Sequence, residues 1–301
     1  MIKLGHVVLA SPQQMKFVIE GMRNPMNSWD KSDSNDCCIY KCRDDIHGCP
    51  VGGFATGEDD YSLMKRLAEA GTDHRKFMRM MPVYIRITAP LYWWKEFDTY
   101  KIATVGSSCS TMHKIHDKEF TLEDFSVEHL ETIARFDDDG EIHQPYMLIK
   151  SVIDCLNACR KAYLETKSKT DWWQMIQLLP SSYNQTRNLM LNYEVLANIY
   201  KSRKDHKLDE WREFCKWIRT LPYSELITNE EMKVQEIKNL TDAELRELSL
   251  QKNKKGNATC DAKMAQKILW KHNGNGFNTG LCNCTYGSKR FASSDRMNGY
   301  K

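Results

Sequence analysis

The chain has 301 residues, enough to bury a sizeable core as one large domain or two smaller ones. Its 43 Lys and Arg against 40 Asp and Glu leave a formal charge of +3, a field too weak to argue by itself for nucleic acid or an anionic membrane, so any anionic ligand must be held locally. Eleven cysteines, an odd number, with no apolar signal stretch after Met1 and no run of about 18 apolar residues, exclude a fully paired disulfide scaffold and a helical membrane span and point to a reducing cytoplasm.

In chain order, IKLGHVVLA is an expected strand, and PQQMKFVIEGM carries Met15, Val18, Ile19 and Met22 at helical spacing. Residues 24–57 are rich in Asn, Asp, Ser, Gly and Cys, a loop composition. EDDYSLMKRLAEAG places acidic residues at the positive end of a helix, Leu63, Met64 and Leu67 on one face, and Gly71 where a left-handed cap belongs. VYIRITAP alternates Val83, Ile85 and Ile87 with Tyr84, Arg86 and Thr88, as a half-buried strand does, and stops at Pro90. An aromatic helix with Trp93, Trp94 and Phe97 as core residues follows, then a polar stretch rich in hydroxyls that ends at His113.

TLEDFSVEHLETIARF is expected to be a short helical region, and YMLIKSVIDCLNACRKAYLE a longer helix with Ile149, Val152, Ile153, Leu156 and Tyr163 in a stripe. TDWWQMIQLLP predicts a helix ended by Pro180, and QTRNLMLNYEVLANIYKSR passes from an extended piece into a helix. Leu208, Trp211, Cys215 and Ile218 mark the inner face of one more helix, stopped by Pro222. The main domain is expected to span 1–229. A helical extension over 230–273 follows, opened by a capping box at Thr241 and Glu244, and then a weakly ordered tail over 274–301.

This order of elements resembles the flavin-dependent thymidylate synthases, the ThyX-like family, over roughly residues 1 to 222. The more specific half is the later one, where Leu179-Pro180, Asn192, Asn198 and Arg203 stand at the family's spacings and Asp209, Glu210 and Trp211 occupy the place of a similar Trp-containing helix. The resemblance implies an α/β (α+β) fold, a small sheet flanked by long helices. It implies one-carbon transfer to a uracil deoxynucleotide, of the dUMP to dTMP type, with FAD as cofactor, NADPH and a methylene folate as co-substrates, and a homotetramer. Arg203 is then the residue that polarises the pyrimidine, since a guanidinium beside a ring carbonyl stabilises charge developing in the transition state. Asn192 and Asn198 become flavin contacts. The same three residues also read as an N-cap, a solvated helical side chain and a cation at a helix's negative end.

The stretch PLYWWKEFDTYKIATVGSSCSTMHKI departs from the family. Its RHR signature falls on Thr99, Tyr100 and Lys101, its flanking Gln on Glu96, and its phosphate-holding segment on residues 107–112, so this is a divergent member lacking RHR. The resemblance places Tyr100 and Lys101 at the cofactor and Glu96, Ser107, Ser108 and Ser110 at the substrate. Losing the guanidinium contacts matters because charge-assisted bonds to phosphate are about twice as strong as neutral ones. A protein that keeps the fold and binds a nucleotide, or acts as a scaffold, without turnover is the competing reading.

Cys37, Cys38, Cys42, His47 and Cys49 are numerous enough for a tetrahedral zinc but irregularly spaced, so ordinary reduced thiols are the expectation there. Cys260, His272, Cys282 and Cys284 are read the same way. Lys263, Lys267 and Lys271, behind the basic KNKKGN, read as a solvated face, with nucleic acid not expected as a partner.

Overall fold

The computed structural model describes residues 2–36 and 54–228. The expected cysteine-rich loop at 37–49, the 230–273 extension and the 274–301 tail, with their cysteine and lysine clusters, lie outside the described residues. The elements run β1 (Lys3–Leu9), α1 (Pro12–Arg23), β2 (Asn35–Asp36), β3 (Phe54–Ala55), α2 (Glu58–Glu69), β4 (Pro82–Pro90), α3 (Leu91–Phe97) and β5 (Val105–Ser108). They continue with β6 (Arg135–Phe136), β7 (Ile142–His143), α4 (Pro145–Thr166), α5 (Lys169–Leu178), β8 (Asn184–Asn192), α6 (Tyr193–Arg203), α7 (Asp209–Ile218) and α8 (Glu225–Thr228). The fold is mixed helix and sheet, as expected.

The chain divides into two compact units. In the first, residues 2–25 with 64–228, a four-stranded sheet runs in the order β1-β4-β8-β5, each pair antiparallel. Period-two alternation in β4 decides which side faces the helices: Val83, Ile85, Ile87 and Ala89 are buried, whereas Tyr84 and Arg86 are exposed. α1 buries Met15, Val18, Ile19 and Met22, as its spacing predicts, and begins in a capping box between Ser11 and Gln14. α1 and α6 both pack on a 3-10 turn over Arg75–Met80. A satellite core of Ile115, Phe120, Phe125, Ile149, Ile153, Leu156 and Met175 ties α4 and α5 together. Gly71 has φ +104°, in keeping with its expected place after α2.

In the second unit, residues 26–63 among those described, Asp60 in the first turn of α2 is fully buried and accepts bonds from the Ser32 and Ser34 hydroxyls and from the Asp33 and Ser34 amides. Asp33 returns the favour by accepting from the amides of Asp59 and Asp60, at the positive end of the helix. A Cβ on Gly57 would lie 2.0 Å from the Asp33 carboxyl carbon, so a side chain there would push the Asp33 carboxylate off the Asp59 and Asp60 amides.

Two expectations are corrected. TLEDFSVEHLETIARF forms a single 3-10 turn, Leu122–Asp124, after which Phe125 is extended and bridges to Tyr183. Burial of Phe125 against Tyr183, ring centroids 5.6 Å apart, outweighs the weak helix preference of the segment. The hydroxyl-rich stretch is also not all loop: Val105–Ser108 pairs with Arg187–Met190 as an edge strand. Small and polar residues form a strand there because β8 presents them a ready row of backbone donors and acceptors.

Candidate functional site

The aromatic helix α3 sets Trp93 and Phe97 against Trp211 and Phe214 of α7, with Trp93 and Trp211 centroids 4.7 Å apart, and Trp94 packs on Trp93 and Phe97. That packing brings the end of α3 beside the end of α6. There Glu96 Oε2 accepts from Arg203 Nη1 at 2.7 Å and from the Trp211 indole N–H at 2.8 Å, and His206 Nε2 lies 3.5 Å away. Arg203 Nε donates to the Tyr100 hydroxyl at 2.9 Å, and its guanidinium lies over the Trp211 ring at 4.9 Å. Trp211 is fully buried, so its N–H must have an acceptor inside the protein, and Glu96 is that acceptor. Arg203 is 20% exposed and Nη2 has no partner among the described residues.

The structure thus brings Glu96, Tyr100 and Arg203 together, and adds His206 and Trp211 to them. It places the other expected site residues elsewhere. Asn192 caps α6: its Oδ1 accepts from the Val195 amide at 2.9 Å and its Nδ2 donates to the Ala103 carbonyl at 3.3 Å. With 2% exposure, its amide serves the backbone on both sides, the capping alternative open in the sequence. Ala103 has φ +53°, a left-handed conformation unusual for a residue with a Cβ, and this loop carries Lys101 and the 68%-exposed Ile102 outward. Lys101 is exposed and has no ion-pair partner among the described residues.

Asn198 accepts from Arg75 Nη2 at 2.9 Å. One turn earlier, buried Glu194 pairs with Arg79 and lies 3.5 Å from Arg75 Nε. Ser107 and Ser108 lie on β5 opposite Asn188 and Arg187. Ser110 Oγ accepts from the Met112 and His113 amides, closing a turn. That turn borders a polar hollow of 420 Å³ shared with Cys109, Thr111, Lys118, Asn184 and Thr186. Lys118 is paired with Asp124 there. The hollow, reached from the open side of the sheet, is the concave surface on which the expected phosphate contact Ser110 lies.

Two carboxylates are buried in the first turns of α6 and α7, Glu194, which the sequence did not single out, and Glu210, named there only beside Asp209 and Trp211. Glu210 accepts from the Tyr92 hydroxyl, and burial together with that carboxylate pushes the Tyr92 phenol well above its usual range. The available signal was position: an acidic residue next to an apolar stripe at a helix start is stabilised by the helix dipole and can be drawn inside by a donor.

No family model matches the chain, and no curated protein matches it. Among solved structures it is similar to the flavin-dependent thymidylate synthase ThyX from Helicobacter pylori complexed with FAD and dUMP, at 15% identity over 76% of this chain and 98% of that one, with a TM-score of 0.49. A second structure of that protein with FAD and dUMP gives 14% identity, 76% and 97% coverage and a TM-score of 0.48. A UMP/dUMP methylase, PolB from Streptomyces cacaoi bound with 5-Br dUMP, gives 13% identity, 76% and 94% coverage and a TM-score of 0.48. At this level of likeness no residue's role passes from one chain to the other.

Proposed function

We propose that this chain binds a uracil deoxynucleotide with Arg203 facing the pyrimidine, and that the site serves transfer of a one-carbon unit to the ring, as the sequence resemblance implies. The observation that supports this reading is the setting of Arg203. Nε and Nη1 are anchored by Tyr100 and Glu96, the guanidinium carbon lies 4.9 Å over the Trp211 ring, and Nη2 has no partner among the described residues, which leaves it to meet a ligand in this proposal. An anchored donor of that kind needs little reorganisation when charge develops on a ring carbonyl. Ser110 and the polar hollow beside it, which Lys3 and Lys118 line together with Glu123 and Asp124, take the phosphate in this proposal. Ser107 and Ser108, on β5 and outside that hollow, stay in the proposal as contacts that the sequence resemblance implies.

The residues left for flavin are compatible with one: the Tyr100 hydroxyl proton, the Asn198 Nδ2 and the unpaired Lys101 are uncommitted among the described residues. Bound there, the flavin would be reduced by NADPH and would then supply hydride, with a methylene folate as the source of the one-carbon unit. Asn192 acts here through the start of α6 and through Ala103, positioning the loop that carries Tyr100 and Lys101. The reading includes a homotetramer and a cytoplasmic setting. A second reading, nucleotide binding without turnover, is favoured by one observation: Glu96 offsets the charge of Arg203 before any ligand arrives.

One preparation separates the two. The purified protein, incubated with FAD, is expected to be yellow after desalting and to oxidise NADPH faster once dUMP and methylene folate are added. Loss of that dUMP dependence in Arg203→Ala, with unchanged far-UV circular dichroism, supports the enzyme. A colourless protein that still shifts its melting temperature with dUMP supports binding alone, and one that does neither overturns both.

A further inference from the structure

Between residues 130 and 148 six large apolar side chains are exposed: Leu130, Ile133, Phe136, Ile142, Met147 and Leu148. Two of them, Phe136 and Ile142, share one face because the backbone closes the segment on itself. Phe136 pairs in register with Ile142, and the Tyr146 amide donates to the Glu131 carbonyl at 3.2 Å, so the two ends of the finger meet at the start of α4. Phe136 is 70% and Ile142 64% exposed, directly across the strand pair from each other. The tip is held as firmly as so short a hairpin permits: Asp137 accepts from the Asp139 and Glu141 amides and pairs with His143, and Gly140 takes φ +80°. A two-stranded hairpin of this size does not normally keep such a face bare in water.

Charge selects what covers it. Residues 130–150 carry five carboxylates, Glu131, Asp137, Asp138, Asp139 and Glu141, against Arg135 and Lys150, a balance of −3 on a chain whose total is +3. Both cations are engaged, Arg135 with Glu131 and Lys150 over the Tyr146 ring at 4.9 Å. A symmetric contact between two copies through this face would set five carboxylates against five, and an anionic lipid surface would be repelled in the same way. We propose that the β6–β7 finger, with the first turn of α4, is a docking surface for a protein segment that is cationic and apolar, Lys or Arg flanking Leu, Ile or Phe. Phe136 and Ile142 provide the apolar anchor and the carboxylates at the tip provide partner choice.

The test uses the full chain and a fluorescein-labelled Leu/Lys amphipathic peptide, with a Leu/Glu peptide of the same pattern as control, followed by anisotropy. Expected is saturable binding of the Leu/Lys peptide only, weakened about tenfold or more both by Phe136→Ser with Ile142→Ser and by Asp138→Asn with Asp139→Asn, and weakened again at high salt. Melting temperatures within a degree or so of the wild type show that the variants fold. Binding unchanged by the serine pair overturns the proposal. A concentration-dependent dimer in sedimentation that the serine pair abolishes also overturns it, in favour of a second copy of this chain.

Discussion

At Glu96 one carboxylate oxygen serves Arg203 and Trp211, with His206 close by, so substitutions there separate charge from hydrogen bonding. Glu96→Gln keeps an acceptor for the Trp211 indole and removes the ion pair. The pair is partly exposed, 20% and 35% for the two side chains, so the expected loss is about 1 kcal/mol in urea unfolding. Glu96→Ala also leaves the indole N–H of fully buried Trp211 without a partner, adding roughly 1–3 kcal/mol. Equal losses in the two variants would mean that Trp211 does not depend on this acceptor. The sequence resemblance implied a site role for Arg203 and for Glu96. Their pairing was not legible, because they are 107 positions apart and only the stacking of α3 on α7 makes them neighbours.

Among the elements, α6 shows how much a single cap decides. Asn192 ends β8, starts α6 and holds the Ala103 carbonyl, so three pieces of chain share one side chain. Asn192→Ala is expected to destabilise the protein by about 1–2 kcal/mol, and Asn192→Ser, which keeps a capping oxygen but lacks the reach to Ala103, by about half that. If the two variants unfold at the same denaturant concentration, the cap contributes nothing measurable. β4, α1 and α7 could be read directly, since apolar periods of two or 3.6 residues report which side is buried. The segment after Thr121 could not. A short helical region was expected, and the structure has a capping box between Thr121 and Asp124, yet the helix stops after one turn because Phe125 has a better place against Tyr183.

Over the whole molecule, buried acids with raised pKa values set the alkaline limit. Burial pushes the Cys215 thiol up to about 12 from an ordinary value of 9.0, and the Tyr92 and Tyr193 phenols are raised by burial above 10.0. Each of these groups binds its proton more tightly in the folded state, so its stabilisation is complete below the unfolded pKa and is lost as pH rises toward the folded one. The melting temperature is therefore expected to stay nearly level from pH 7 to about 9 and to fall steadily above it, read by circular dichroism in buffers of matched ionic strength. A melting temperature that climbs above pH 9 would contradict the assignment. No helix among the described residues is long and apolar enough to cross a membrane. What the sequence by itself determined was local: the periods of β4, α1, α4 and α7, the glycine that ends α2, the aromatic core of α3, and the capping alternative at Asn192. Only the tertiary structure decided that Glu96 would neutralise Arg203, that Asn192 would face the backbone, that Ser107 would join a sheet, and that Phe136 and Ile142 would stand uncovered. Those outcomes depend on which distant groups meet, and a donor, an acceptor or a bare apolar face acquires its role from the partner that packing sets beside it or withholds.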